Sequence, residues 1–195
     1  MPELPEVETI RRQLQSRIVG KTIKAVEVLY PKVVHKMRAA DFVRTLVGRK
    51  VREVGRQGKL ILIRLSGEET LVVHLKMTGR LLLQSSGHPE PRRHGRGAGS
   101  HTNKSTEVIL IFTDGTVLRY DDLRRFGYMK VVPTSEEARV VQKEQLGIDF
   151  PEGWSLNAIN IVAQKYFTGT PGTDERESSL RDLINRVVHT VVRQG

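Results

Sequence analysis

Apolar residues recur at spacings of three and four after Pro5. Val7, Ile10, Leu14 and Ile18 share one face, and Arg11, Arg12 and Arg17 lie on others. That period predicts an amphipathic helix beginning near Pro5 and ended by Gly20. From residue 21 the period shortens. Thr22–Val28 alternates, and short apolar runs follow at Lys50–Val54, Leu60–Leu65, Leu71–Leu75, Leu81–Gln84, Glu107–Phe112, Val117–Tyr120 and Tyr128–Val132. A short helix is expected at 40–47, with Asp41 near its N-cap and Phe42, Val43, Leu46 and Val47 as its apolar face. Thr113-Asp114-Gly115-Thr116 carries an Asp-Gly hairpin signal between two strands. Seven or eight short strands with turn signals between them indicate a β-sandwich or barrel.

Beyond residue 134 the pattern returns to helices. Residues 135–146 place Ala138, Val141 and Leu146 on one side, and a connector with Pro151, Gly153 and Trp154 follows. Ser155–Tyr166 and Ser178–Arg193 read as two more helices, the second with Leu180, Leu183, Ile184, Val187, Val188 and Val191 as an apolar face. Such a face suits a partner chain or a dimer through the 178–193 helix. The expected fold class is α+β: an N-terminal helix, then an antiparallel β domain over 1–134, then a helical appendage over 135–195.

Composition narrows the partner. The 195 residues include 32 Lys+Arg against 22 Asp+Glu, a formal charge of +10, with 38% hydrophobic residues. A surplus of that size favours a polyanion, nucleic acid before anionic membrane. Residues 85–106, rich in Gly, Ser, His and Arg, read as a mobile basic loop, either a solvated linker or a loose phosphate contact. There is no cysteine, so disulfides and Cys-ligated zinc are excluded. No apolar run approaches the ~20 residues of a membrane span, and no signal peptide opens the chain. The expected location is the cytoplasm, at a bacterial nucleoid.

The chemistry concentrates at the chain start, Met1-Pro2-Glu3-Leu4-Pro5-Glu6-Val7-Glu8-Thr9. Trimming of Met1 leaves Pro2 with a free secondary amine. Attack of that amine on C1′ of a sugar gives an iminium ion that is charged without protonation, a good electron sink for later eliminations. Glu3 is placed to supply the proton that opens the sugar ring. Read by itself, Glu8 is an exposed helix residue.

The nonapeptide resembles the amino terminus of the formamidopyrimidine-DNA glycosylase / endonuclease VIII family. Three further segments share the resemblance: Gly55-Arg56-Gln57-Gly58-Lys59-Leu60, a tight turn with Lys59 at its tip; His74-Leu75-Lys76-Met77-Thr78-Gly79-Arg80; and Tyr120-Asp121-Asp122-Leu123-Arg124-Arg125-Phe126-Gly127. The resemblance implies a helix-first β-sandwich and base-excision DNA repair. A damaged base is removed, and the abasic strand is cleaved by β/δ-elimination through a Schiff base on the N-terminal proline. It implies Pro2, Glu3, Lys59 and Glu6 as catalytic residues. It also implies His74 as a phosphate contact, Met77 as the filler of the void left by a flipped nucleotide, Arg124 as the reader of the orphaned base and Phe126 as a wedge beside it. An apolar wedge makes physical sense, because flipping a base costs a few kcal/mol. On strand alternation alone, His74 and Lys76 face one way and Leu75 and Met77 the other, which makes Met77 a core residue. The implied partner is double-stranded DNA carrying a damaged base or abasic site; no cofactor and no metal are implied for these segments.

The resemblance is close to about residue 132 and weak to about 150. Typical members continue into a helix–two-turn–helix domain with a Gly-Asn-Ile-Tyr segment and a four-cysteine zinc finger, and neither is visible here. Ser105 stands where the family often has a DNA-contacting histidine, with His101 nearby. Three readings follow: a short or divergent glycosylase and abasic-site lyase; a non-catalytic DNA-binding relative or one half of a split glycosylase; and a fragment that folds but does nothing alone.

Overall fold

The computed structural model describes residues 4–84, 103–146, 154–166 and 180–194. Pro2, Glu3, His101 and most of the expected basic loop lie outside them. The chain divides into two units, Met1–Ser135 and Glu136–Gly195.

The first unit opens with α1 (Leu4–Ile18). Its acidic first turn and basic last turn complement the helix dipole, and Val7, Leu14 and Ile18 are buried. Gly20 follows at φ +85°, the left-handed conformation that commonly ends a helix. Then come β1 (Ile23–Val28), a 3-10 turn at Pro31–Val33, α2 (Ala39–Leu46), β2 (Val51–Gln57), β3 (Leu60–Leu65), β4 (Glu69–His74), β5 (Gly79–Gln84), β6 (Thr106–Phe112), β7 (Val117–Asp122) and β8 (Tyr128–Pro133). The strands form two four-stranded antiparallel sheets, ordered β1-β6-β7-β5 and β2-β3-β4-β8. Apolar side chains of both sheets, α1 and α2 join in one core that includes Leu14, Phe42, Leu71, Leu118 and Tyr120. The expected α+β class, with its leading helix and two-sheet sandwich, is the observed one.

Several local expectations are corrected. The N-cap of α2 is Arg38, without a side-chain cap bond; Asp41 lies inside the first turn, paired with Arg38 at 2.8 Å and with Arg44. β2 continues past Val54 to Gln57, because the ladder to β3 runs unbroken into a two-residue turn. β4 ends at His74, so Leu75–Thr78 are not strand. β7 extends to Asp122, with Asp121 and Asp122 both buried.

Register brings particular loops together. One row across the second sheet pairs Gln57 with Leu60, Leu60 with His74 and His74 with Tyr128. The Gly58-Lys59 turn, the turn after His74 and the loop before Tyr128 therefore leave the sheet at the same end. In the first sheet Gly79 pairs with Asp122, which places the start of β5 beside the end of β7. α1 runs antiparallel to β2. Val51 O accepts from Gly20 N at 2.9 Å, Val54 N donates to Gln15 Oε1 at 2.6 Å, and Arg56 Nε donates to Glu8 Oε2 at 3.0 Å. The first turn of α1 thus points to the end of the sandwich where those loops emerge.

A 3-10 turn (Thr134–Glu136) spans the unit boundary, and the second unit holds α3 (Glu137–Leu146), α4 (Leu156–Lys165) and α5 (Leu180–Gln194). Ser155 caps α4 by accepting from Ala158 N at 3.2 Å. On the expected apolar side of α3, Val141 is buried but Ala138 is exposed, while Glu137 is buried. Ile184, Val187, Val188 and Val192 on α5 are exposed. No helix among the described residues is long and apolar enough to cross a membrane.

Phe42, fully buried where α2 meets the core, is a direct probe of the sandwich. Phe42→Ala is expected to cost ~3–5 kcal/mol, read as a fall in the urea midpoint with an unchanged slope.

Candidate functional site

Met77 is not in the core. The chain leaves β4 at His74 and closes a turn in which Gly79 N donates to Leu75 O at 2.9 Å. Lys76, at φ +49°, reverses the chain in the left-handed region, and Lys76 N donates to His74 Nδ1 at 3.0 Å. Strand alternation stops there, so Leu75 remains buried while Met77, 42% exposed, stands at the apex. An unbranched thioether at a turn apex is free to enter an apolar gap.

The Leu123–Phe126 loop faces it. Arg124 Nη1 lies 3.4 Å from Met77 Sδ, and the Arg124 guanidinium sits 4.9 Å from the centre of the Phe126 ring. Phe126 is 53% exposed. The structure thus gathers Met77, Arg124 and Phe126 into one exposed group. The adjacent arginines divide: Arg125, at φ +57°, turns to the Tyr30 ring at 4.4 Å and lies 3.9 Å from Glu107 Oε1. A left-handed residue between Arg124 and Phe126 is the local device that sends the two arginines in different directions.

Asp122 organises this loop from below. Its carboxylate is fully buried. Oδ2 accepts from Gly127 N at 2.7 Å, and Oδ1 accepts from Arg124 N at 3.1 Å and from the Thr78 hydroxyl. Burial pushes this carboxyl up, but the Thr78 bond and the N–H groups of Gly127, Arg124 and Arg125 outweigh it and hold it below the usual carboxylate range. Ser105, at the position noted for its departure, supports the strand end: its carbonyl accepts from Asp122 N at 2.8 Å. Gly127 is required by close approach, since a Cβ there would fall on the Tyr120 hydroxyl and 2.8 Å from the His74 carbonyl oxygen.

His74, half-buried, lies at the end of β4 with its ring 5.5 Å from that of Tyr128. Tyr128 also stacks on His35 at 4.6 Å and lies 5.8 Å from Lys76 Nζ and 5.2 Å from Lys130 Nζ. This end of the sheet therefore carries several donors suited to a phosphate.

Lys59 sits at the tip of the β2–β3 turn, after Gly58 at φ +56°. Glu6 is exposed in the first turn of α1. Between them lies a clasp that the sequence did not disclose. Arg56 donates to Glu8 at 3.0 Å and, through Nη1, to Gly58 O at 2.8 Å. Glu8 also accepts from Arg11 at 2.7 Å and Arg12 at 2.9 Å. It is half-buried and not the exposed helix residue expected: Arg11, then Arg56 and Arg12, hold its carboxyl at about 2. The start of α1 is thereby fastened to the turn that presents Lys59. Among the described residues no group of three or more His, Asp or Glu could hold a metal ion, and the chain has no cysteine.

Residues 1–129 match the family model described as formamidopyrimidine-DNA glycosylase N-terminal domain. The chain belongs to that family, through its N-terminal domain. It is 42% identical over 161 residues to the formamidopyrimidine-DNA glycosylase of Heliobacterium modesticaldum, covering 83% of this chain and 54% of that protein. Two Lactococcus lactis Fpg structures align with it. One is in complex with FAPY-dG-containing DNA (TM-score 0.63, 29% identity, 74% of this chain and 49% of that one). The other is non-covalently bound to DNA containing an AP site (TM-score 0.62, 30% identity, 75% and 51%). The chain spans about half the length of the relatives it matches. Residues 130–195 match a different model, described as class II vitamin B12-dependent ribonucleotide reductase. The described part of that stretch holds the end of β8 and helices, with no cluster of ligating side chains among the described residues.

Beneath the loop, Glu107 is 1% exposed; burial, then the Asp122 charge, raise its carboxyl from 4.5 to about 7 against the pull of Arg125. The folded chain thus holds this proton more tightly than the unfolded chain. The resulting stability is full below pH 4.5 and is lost as pH rises through about 7. Glu107→Gln is expected to flatten that fall, measured as urea midpoints across the same interval.

Proposed function

We propose that this chain acts in base-excision DNA repair as a DNA glycosylase and abasic-site lyase, with the amine of Pro2 as nucleophile. The observation that carries the reading is the gathering at one end of the sandwich. The first turn of α1, the Lys59 turn, the Met77 turn and the Arg124–Phe126 loop all emerge there, on a chain of this family.

The steps use few groups. The Pro2 nitrogen attacks C1′, and the C–N bond forms as the bond to the damaged base breaks, or, at a ring-closed abasic sugar, as the protonated C1′ hydroxyl leaves as water. Glu3 delivers the proton that lets the ring oxygen depart, giving the iminium. Loss of a C2′ proton then expels the 3′ phosphate, and a second elimination expels the 5′ phosphate. Lys59 neutralises a flanking phosphate or moves a proton at the sugar, and Glu6 acts beside it. Met77 occupies the vacated stack, Arg124 hydrogen-bonds the orphaned base in a fork geometry, Phe126 wedges beside it, and His74 holds phosphate. The partner is double-stranded DNA with a damaged base or an abasic site, in the cytoplasm at the bacterial nucleoid. Domain roles follow the boundary near residue 134: residues 1–134 carry catalysis, and 135–195 form a helical appendage.

A second reading is a DNA-binding relative or one half of a split enzyme, with a partner chain or a second copy on the 178–193 helix. It is favoured by the different family model matched beyond residue 129.

Borohydride trapping on abasic-site duplex separates the two. With Met1 removed, the protein is expected to form a covalent adduct that Pro2→Gly abolishes and Lys59→Ala slows on the order of 100-fold. DNA binding without an adduct would establish the binding reading.

A further inference from the structure

The Met77 turn and the Arg124–Phe126 loop belong to different connections. The first joins β4 to β5 and the second joins β7 to β8. A side-chain hydrogen bond between their roots joins them: the Thr78 hydroxyl, one residue after Met77, donates to Oδ1 of the buried Asp122, and the same hydroxyl accepts from Arg124 N at 3.1 Å. Oδ1 also takes Arg124 N directly, and Oδ2 takes Gly127 N at 2.7 Å. Thr78 is half-buried and Asp122 fully buried, so water competes little for the contact.

We infer that Thr78 is a positioning residue for the DNA wedge. With Asp122 it locks the void-filling methionine and the base-reading arginine into one preformed unit, and so sets the preference for duplex over single-stranded lesions. This rests on the proposed function, in which Met77 and Arg124 enter the helix together. The physical reason is the cost of order. Two loops that must be fixed on binding lose conformational freedom at that moment, whereas loops held by a buried charge-assisted bond have lost it already. Only duplex DNA has a void to fill and an orphaned base to read. A loosened wedge therefore weakens duplex binding and leaves single strands unaffected. The Arg124–Met77 contact at 3.4 Å joins the tips, but it joins two exposed side chains. The bond at the roots fixes the backbone that carries them.

The test measures affinity for abasic-site DNA as duplex and as single strand, and for intact duplex, with the whole chain and with Thr78→Val, Thr78→Ser and Phe126→Ala. Val keeps the shape of Thr and removes the hydroxyl; Ser restores it. Thr78→Val is expected to weaken duplex binding about tenfold, to leave single-strand binding unchanged, and to be rescued by Thr78→Ser. Equal loss on duplex and single strand, or no rescue by Ser, would make Thr78 merely structural and overturn the inference. Duplex binding unchanged in Thr78→Val but weakened in Phe126→Ala would also overturn it, leaving the proposed function intact. If the unaltered chain shows no preference for abasic over intact duplex, the proposed function fails and the inference falls with it.

Discussion

A buried carboxylate has to be surrounded by donors, and Asp122 satisfies that requirement with the backbone of one loop and the hydroxyl of another. The need is severe, because an ionised group taken from water without partners costs far more than a single hydrogen bond returns. Here the donors are Gly127 N, Arg124 N and the Thr78 hydroxyl. Solving one electrostatic problem thus shapes the Leu123–Phe126 loop and ties it to the Met77 turn. The neighbouring glycines follow from the same crowding. Gly127 and Gly79 both approach the Tyr120 hydroxyl too closely for a side chain, and Tyr120 is a fully buried member of the core. The exposed group of Met77, Arg124 and Phe126 is therefore built outward from the interior and owes little to the flexibility of its loops.

The opposite anchor is the Glu8–Arg56 clasp. It binds helix to hairpin through two side chains and one carbonyl, where α1 begins and β2 turns. Both anchors lie in the first unit, the part of the chain that matches the glycosylase N-terminal domain. The described residues of the candidate site all lie within that unit. Phosphate contacts are a separate matter: each one neutralised adds to affinity and to its salt dependence.

How much of this could be read from the residues alone varied with the kind of interaction. The helix at the chain start and the strand count followed from periodicity, because burial of one face leaves a direct imprint on hydrophobic spacing. The Asp-Gly hairpin was equally legible, since Gly115 adopts φ +82°. Met77 was not. Alternation placed it beside Leu75 in the core, and the left-handed Lys76 broke that alternation without a glycine to announce it. The resemblance, not the pattern, put it on a loop. Asp41 misled because a capping residue type inside the first turn differs by only three positions from a cap. The polar networks were the least legible. Of the partners of Glu8, Arg11 and Arg12 lie within one helical turn, but Arg56 is 48 positions away, and Thr78 and Asp122 meet across 44. Hydrogen bonds between distant residues leave no period. The one available hint was Asp121-Asp122 directly following an apolar strand, where two carboxylates are costly unless something donates to them.

In the proposed function the amine of Pro2 is the group that bonds to the sugar. Reducing the complex with abasic-site DNA, digesting it and mapping the peptides by mass locates the sugar remnant. A remnant on the peptide that begins at Pro2 is the expected result. A remnant on Lys59, or on any other lysine, would rule out the N-terminal amine as nucleophile.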